Sequence, residues 1–430
     1  MKKGLGRILV ALLLAGMLCA TMAPAIAGAE KIEGVTLTFV ASQNWVNKAG
    51  NVDDVLNQKF EEETGIKIDM QMVPDDQYAN VLKTKMSTGE VPDIFMVSGG
   101  VGAEKYLPEK YFADLSDEPW VDRYVEYARQ GTTINGKVMG LMTWCVDGWA
   151  ILYNPELYAQ YGLSAPTSFD AFKTVCQTLL DNGITPIYEI GKESWHWAVW
   201  FSQVGPYAAS KHEDLYGKLN RNEIEFADIP EFEQFLAEFK EVYDLGYLGE
   251  YSLANPWDAA YEVLGTGGAA GFLAYQSYQH EVMDKYPESD AGSWEMYPIP
   301  FAGNNMYSHS AGGNMRVAYK DSPNLEYVKM FFEFLARPDN LQIFYDGRGD
   351  LQTAPSFADV EAKPTTSGKS VVENAPGGQG MDLEYGVMYW DNTQVGIFIQ
   401  EMMLGNKTPA EVLEAIDGKR QEMFDAISKS

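Results

Sequence analysis

Between Lys31 and Gly100 the chain alternates strand and helix signals in a way that constrains its fold class more than any other feature. Lys31–Ala41 (KIEGVTLTFVA) reads as a strand, carried by Leu37, Phe39 and the β-branched residues between them. A helix is expected over about Val52–Glu62, where Val55, Leu56 and Phe60 recur at helical spacing, with Gly65 as its stop. Ile66–Val73 alternates as a second strand. Asp75 and Asp76 offer an N-cap for a helix over Gln77–Ser87, and Gly89 ends it. Pro92-Asp93 then lead into a short buried strand, Ile94–Val97, with Ser98-Gly99-Gly100 at its exit. Strand, helix, strand, helix, strand at this density specifies α/β rather than a bundle or a sandwich. Open α/β sheets place their binding groups at the carboxyl ends of strands, which singles out Trp45 and Ser98.

At 430 residues the chain exceeds the size at which one core usually keeps growing, so two domains are expected. It carries 61 acidic against 32 basic residues, a formal charge of -29. A surface of that sign repels phosphate backbones and anionic lipid, which argues against a nucleic-acid partner. The first 29 residues read as a secretory leader: Lys2, Lys3 and Arg7 precede an apolar run from Ile8 to about Met22. Small-x-small cleavage sites follow at Ala25–Ala27 and Ala27–Ala29. Leu14-Ala15-Gly16 has the form of a lipoprotein signal, but Met17 stands where the lipidated cysteine belongs. Cleavage would leave Cys145 and Cys176, for which a disulfide and two free thiols are both open. The histidines His196, His212, His280 and His309 have no zinc-site spacing, so neither metal nor cofactor is expected.

The stretch Asn135–Leu157 (NGKVMGLMTWCVDGWAILYNPEL) mixes an Asn-Gly turn, apolar strand-like runs, two Trp and one Asp. It reads as chain passing between two bodies beside a cleft, with Trp144 and Asp147 at the opening. The plainer alternative makes Trp144 and Trp149 core aromatics and Asp147 a turn residue. Further on, a helix is expected over Phe169–Leu180 behind Thr167 or Ser168, and a strand over Ile184–Ile190 interrupted by Pro186. In the run Trp195–Trp200, Trp197 and Trp200 share a helix face and Trp195 does not, so one ring should face away from the core. Glu231–Tyr243, Glu326–Ala336, Asn340–Tyr345, Val395–Met403 and Pro409–Ser430 carry helical patterning. Gly267–Tyr275 reads as a glycine-flanked strand leading into Gln276 and Tyr278.

Six blocks in order carry a family resemblance. FEEETGIKI from Phe60 and MSTGEVPDIF from Met86 are followed by Asn135-Gly136-Lys137 with Tyr153-Asn154 and YGLSAPTSFDAF from Tyr161. Then come GGAAGFL from Gly267, GGNMRV from Gly312 and RGDLQTAP from Arg348. Together they resemble the extracellular solute-binding proteins of sugar ABC importers, of the maltose-binding type. Ser168-Phe169 departs from the commoner Thr-Trp, and Ala270-Gly271 from the usual Ala-Met. The resemblance implies a two-lobed periplasmic-binding-protein type II fold, each lobe a sheet flanked by helices, with three crossings between them. It places the first lobe at 30–142 and 275–316 and the second at 143–274 and 317–430, with crossings near 135–157, 267–278 and 308–319.

It also implies a non-enzymatic, monomeric receptor that binds a carbohydrate between the lobes outside the cytoplasm and presents it to the membrane subunits of an ABC permease. Sugars offer hydroxyl edges and C–H faces, held by carboxylates, amides and aromatic rings. The ligand-binding candidates are therefore Trp45 and Ser98, Trp144 and Asp147, Tyr275, Gln276 and Tyr278, Trp195, Trp257 and Trp390, and Arg348 as a donor. Asp93 is expected to orient a turn behind the cleft. Two other readings stay open. A secreted carbohydrate-active enzyme would need two carboxylates across a cleft, and a receptor for a polyamine or peptide would need a cleft of different polarity. Gly-x-Ser-x-Gly, His-Glu-x-x-His and a phosphate-binding loop do not occur.

Overall fold

In a computed structural model, the described residues are 31–46, 52–144, 148–310, 313–348, 351 and 353–428. Eleven strands occur in them: β1 (Thr36–Ser42), β2 (Lys67–Val73), β3 (Ile94–Ser98), β4 (Thr133–Ile134), β5 (Lys137–Val138), β6 (Gly148–Tyr153), β7 (Gly271–Tyr275), β8 (Glu295–Tyr297), β9 (Tyr307–His309), β10 (Asn314–Ala318) and β11 (Gln379–Met381). The first sheet has the order β10-β3-β1-β2, with β1 parallel to β2 and β3, and β10 antiparallel to β3. The second has the order β11-β9-β6-β7, with β8 also paired to β6. A short hairpin, β4-β5, turns on Asn135 and Gly136, both in the left-handed region.

The early alternation is realised as expected, with helices Val52–Thr64 and Asp75–Thr88 between the parallel strands. The second helix starts at Asp75 itself, so Pro74 and not an aspartate is its N-cap; Gly89, at φ 81, closes it. Ser168 caps Phe169–Asp181 by accepting from Ala171 N at 3.2 Å. The strand expected over Ile184–Ile190 is absent except for a single bridge, Thr185 to Ala269. Pro186 has no N–H to continue a ladder there.

Each sheet organises its own core. One contains Leu37–Met142 together with Met315–Phe357, and the others run from Ala150 to Ala302 and on to Ile416. Trp144 packs against the first core while Gly148 begins β6 in the second sheet, and His309 ends β9 in the second sheet while β10 lies in the first. The chain does not cross near 267–278. β7 pairs with β6 along its whole length, Trp149 opposite Tyr275 through Tyr153 opposite Gly271. The following helix Tyr278–Lys285 and strands β8 and β9 stay with that second sheet, so of the expected 275–316 segment only β10 joins the first. The chain also remains in the first core after β10. Helices Leu325–Leu335 and Pro338–Asp346 pack there through Phe331, Phe332 and Phe344, which removes 317–357 from the expected second lobe. The third crossing is therefore the segment after Phe357, leading to the helix Thr366–Glu373 that packs on the second sheet. The glycine-flanked stretch before Tyr275 is an edge strand, not a hinge; glycine permits close approach in either setting.

Asp93 does orient a turn. Its carboxylate accepts from Thr38 N and Oγ1, both at 2.8 Å, and from the Ser322 hydroxyl and Asn324 Nδ2, tying β1 and β3 to the loop after β10. Beside it in the first core, buried Arg316 of β10 pairs with buried Asp53 and donates to Thr143 Oγ1 at 2.8 Å, fixing the base of the first crossing. Among the described residues no helix is long and apolar enough to cross a membrane, and no group of three or more His, Cys, Asp or Glu could hold a metal ion.

Candidate ligand-binding site

The first sheet delivers Trp45 and Ser98 at its strand ends. Trp45 follows β1 on the short helix Gln43–Val46 and is half-buried, edge-on to Tyr78 at 5.2 Å. Ser98 closes β3, and its hydroxyl donates to Asn314 Oδ1 at 3.2 Å across the β3–β10 pair. Arg348 ties this side together from within. It is 1 % exposed, donates to the Trp45 carbonyl at 3.0 Å, and places its guanidinium 5.3 Å from the centre of the Trp144 ring. Trp144 is half-buried and rests on Gly313, where an added Cβ would meet its ring at 3.1 Å; its carbonyl accepts from Ser356 Oγ. Trp45, Trp144 and Arg348 thus form one group at the first crossing, with Arg348 buried behind it. Asp147 and Cys145 lie outside the described residues.

The second sheet contributes an aromatic wall. Trp149 is the second residue of β6, Tyr275 ends β7, Trp195 lies in the first turn of the helix Ser194–Ser202 and Trp257 opens the helix Trp257–Gly265. Trp149 sits 6.0 Å from Trp195, 6.2 Å from Trp257 and 5.2 Å from Tyr275, and Trp195 is 5.6 Å from Trp257. All four rings are half-buried, in contrast to Trp197 and Trp200 on the opposite face of the Trp195 helix, which are fully buried. That contrast matches the helix-face expectation for Trp195. Beneath the wall, His196 and Glu189 are both fully buried and joined at 2.7 Å. His196 Nε2 meets the Leu273 carbonyl at 3.1 Å, and Glu189 accepts from Trp200 Nε1 at 2.7 Å. Helix and strand are held together directly behind the rings.

Trp149 was not among the sequence candidates, because a Trp in a strand reads as core until its neighbours are known. The β6–β7 register, which puts Tyr275 opposite it at the strand ends, is a tertiary fact. Two candidates turn into the core instead of standing in the wall, Tyr278 packing behind it at 5.2 Å from Trp257 and 5.6 Å from Tyr275. Tyr278 is fully buried in the second core, stacked 4.9 Å from Tyr261, because the helix it opens turns its first side chain inward. Trp390 is 8 % exposed and packs between Phe201 at 6.1 Å and Phe226 at 5.8 Å, filling the space between helices. Gln276 is half-buried; its carbonyl accepts from Thr365 Oγ1 at 3.1 Å and Ser367 Oγ at 2.7 Å, holding the end of the third crossing. Its side chain borders a cavity of about 490 Å³ whose walls come from both bodies, with Tyr127 and Phe357 on one side and Tyr307 and His309 on the other.

The two bodies also touch at a charged contact. The turn Gly100–Tyr106 lies against Leu383–Gly386, and a Cβ at Gly100, which has φ +60, would stand 3.1 Å from the Tyr385 carbonyl. Burial and then Lys83 depress the Lys105 ammonium, opposed by Asp391 and Glu384 from the other body. Burial pushes the carboxyls of Asp382 and Glu384 up, and Glu384 adds to the effect on Asp382.

The second body thus presents a group of half-buried rings, and the first a Trp–Arg group. Residues 44–342 match the family model described as bacterial extracellular solute-binding protein. A protein of Streptococcus pneumoniae serotype 4, named a carbohydrate ABC transporter substrate-binding protein, is 25% identical over 223 residues, which is 47% of this chain and 43% of the relative. Among solved structures, a chitin oligosaccharide binding protein superposes with a TM-score of 0.75 at 20% identity, covering 90% of this chain and 98% of that one. A Bacillus licheniformis sugar transporter protein in complex with stachyose gives 0.71 at 20% identity, covering 90% and 99%. These likenesses establish the two-lobed fold, and the family match extends over well more than half of the sequence. The chain belongs to the bacterial extracellular solute-binding proteins.

Proposed function

We propose that the protein binds a carbohydrate between its two lobes, outside the cytoplasm, and delivers it to the membrane subunits of an ABC importer. The observation that carries this reading is the wall of four half-exposed rings, Trp149 and Tyr275 from strand ends and Trp195 and Trp257 from helix starts. Large rings left partly open to water on strands and helix starts suit the C–H face of a sugar. Opposite them, the reading assigns ligand contacts to Trp45, Ser98, Trp144 and Asp147. Arg348 acts by fixing Trp45 and Trp144. The names borne by the pneumococcal relative and by the structural neighbours support a saccharide over a polyamine or peptide.

The work of such a protein is a population shift. A ligand touching both lobes stabilises the closed pair, whereas one held by a single lobe leaves the equilibrium unmoved. The permease would then recognise the closed pair of a monomer, exported by its leader. Calorimetric titration of the leaderless protein with chitotetraose, stachyose, raffinose and maltotetraose, with product analysis of each mixture, tests the reading. Saturable binding of at least one without bond cleavage is expected. Turnover of any of them, or binding of none, would refute it.

A further inference from the structure

Behind the wall runs a hydrogen-bonded chain that ends on one carboxylate. Trp257 Nε1 donates to the Tyr261 hydroxyl at 3.2 Å, Tyr261 donates to Glu281 Oε2 at 2.8 Å, and the Tyr275 hydroxyl donates to Glu281 Oε1. Glu281 is half-buried on the helix Tyr278–Lys285, which packs against the helix bearing Trp257 and Tyr261. Burial, reinforced by Glu281, pushes the Tyr261 phenol far up from its ordinary value, so that hydroxyl stays a donor. Lys285, one turn on, places its ammonium 3.2 Å from the Tyr261 ring centre and steadies the same ring.

The geometric result concerns two rings of the wall. Trp257 and Tyr275 lie 6.1 Å apart and only 19° from parallel, while the other wall pairs meet at 46° to 84°. We propose that Glu281 is a positioning residue for ligand binding: by holding Tyr275 directly and Trp257 through Tyr261, it sets these two rings as a pre-formed pair whose polar edges face the protein. This rests on the wall being the saccharide contact. The pair then reads a ligand by its C–H faces, and hydroxyl recognition falls to the other side of the cleft. Free rings would each lose rotamer freedom on binding. Removing the carboxylate should therefore weaken binding about tenfold.

The test compares wild type with E281L, E281Q, Y261F and W257A by calorimetry against chitotetraose, stachyose, raffinose and maltotetraose, with near-ultraviolet circular dichroism of each free protein. E281L is expected to lose about tenfold in affinity together with the Trp–Tyr dichroism signal. E281Q, whose amide oxygen can still accept, should recover most of both. Y261F, which cuts only the link to Trp257, should fall between, and stands in if E281L does not fold. Wild-type affinity in E281L and Y261F, with binding lost in W257A, would overturn the positioning role while leaving the wall in place. Unchanged binding in W257A as well would remove the wall, and the proposal with it.

Discussion

The buried pair beneath the wall gives the sharpest prediction about stability. Glu189, His196 and Trp200 are all fully buried. A carbonyl only accepts, so the 3.1 Å contact with Leu273 O requires the proton on His196 Nε2. One further proton then lies between Nδ1 and Glu189 Oε1 at 2.7 Å, and Oε2 accepts from Trp200. Replacing Glu189 by Leu leaves two buried polar atoms, His196 Nδ1 and Trp200 Nε1, without this partner. At about 1–3 kcal/mol each, E189L should cost about 2–6 kcal/mol. E189Q behaves differently. Its amide oxygen accepts from Trp200 and its NH₂ donates to the Nδ1 lone pair of neutral His196, so both bonds survive and the cost should stay below about 1.5 kcal/mol. Urea unfolding followed by Trp fluorescence, which reports Trp197 and Trp200 in this core, measures both through the shift of the midpoint. A cost below about 1 kcal/mol for E189L, or equal costs for the two variants, would refute the reasoning.

Three further outcomes follow from the packing and electrostatics. An added Cβ at Gly396 would sit 1.7 Å from the Ser194 carbonyl, so G396A should force apart the helices Asn392–Met403 and Ser194–Ser202 and cost more than about 2 kcal/mol; a thermal midpoint like that of the wild type would contradict this. Burial raises the Asp417 carboxyl to about 6, against accepted bonds from Phe226 N and Ala227 N. Since the folded value lies above the unfolded one, this group's stabilisation is present below about pH 4 and is lost as pH rises through about 6. Urea midpoints measured from pH 4 to 7 should show wild type falling relative to D417N across that window, and a constant difference would exclude the effect. The Cys176 thiol is buried and pushed well up, so native protein treated with a maleimide should carry label at Cys176 only after unfolding, as peptide mapping would show.

The α/β class was legible because helical spacing alternates with short apolar or alternating runs from Leu37 to Val97, and because Gly65 and Gly89 punctuate it. Crossings were expected from residue types alone. They were misplaced at Gly267–Tyr278, since a glycine-flanked edge strand and a hinge share the same residue types; only the pairing of β7 with β6 separates them. The site shows the same division. Helix spacing predicted that Trp195 would turn away from Trp197 and Trp200, and Trp45 lies at a strand end as expected. Trp149 needed the cross-strand register to be found. Tyr278 and Trp390 sit at element ends like their neighbours, yet face the core, because side-chain direction at a helix start depends on what the helix packs against.

The central claim is that saccharide meets the half-exposed rings of the second sheet. Fluorine NMR of protein carrying 5-fluorotryptophan, assigned by single Trp→Phe substitutions and titrated with whichever of chitotetraose, stachyose, raffinose or maltotetraose binds, addresses it ring by ring. Trp149, Trp195 and Trp257 should shift on saturation, while Trp120 and Trp294, both buried, should stay in place. Shifts confined to Trp120 or Trp294, or a saturated complex in which Trp149, Trp195 and Trp257 remain unmoved, would contradict it.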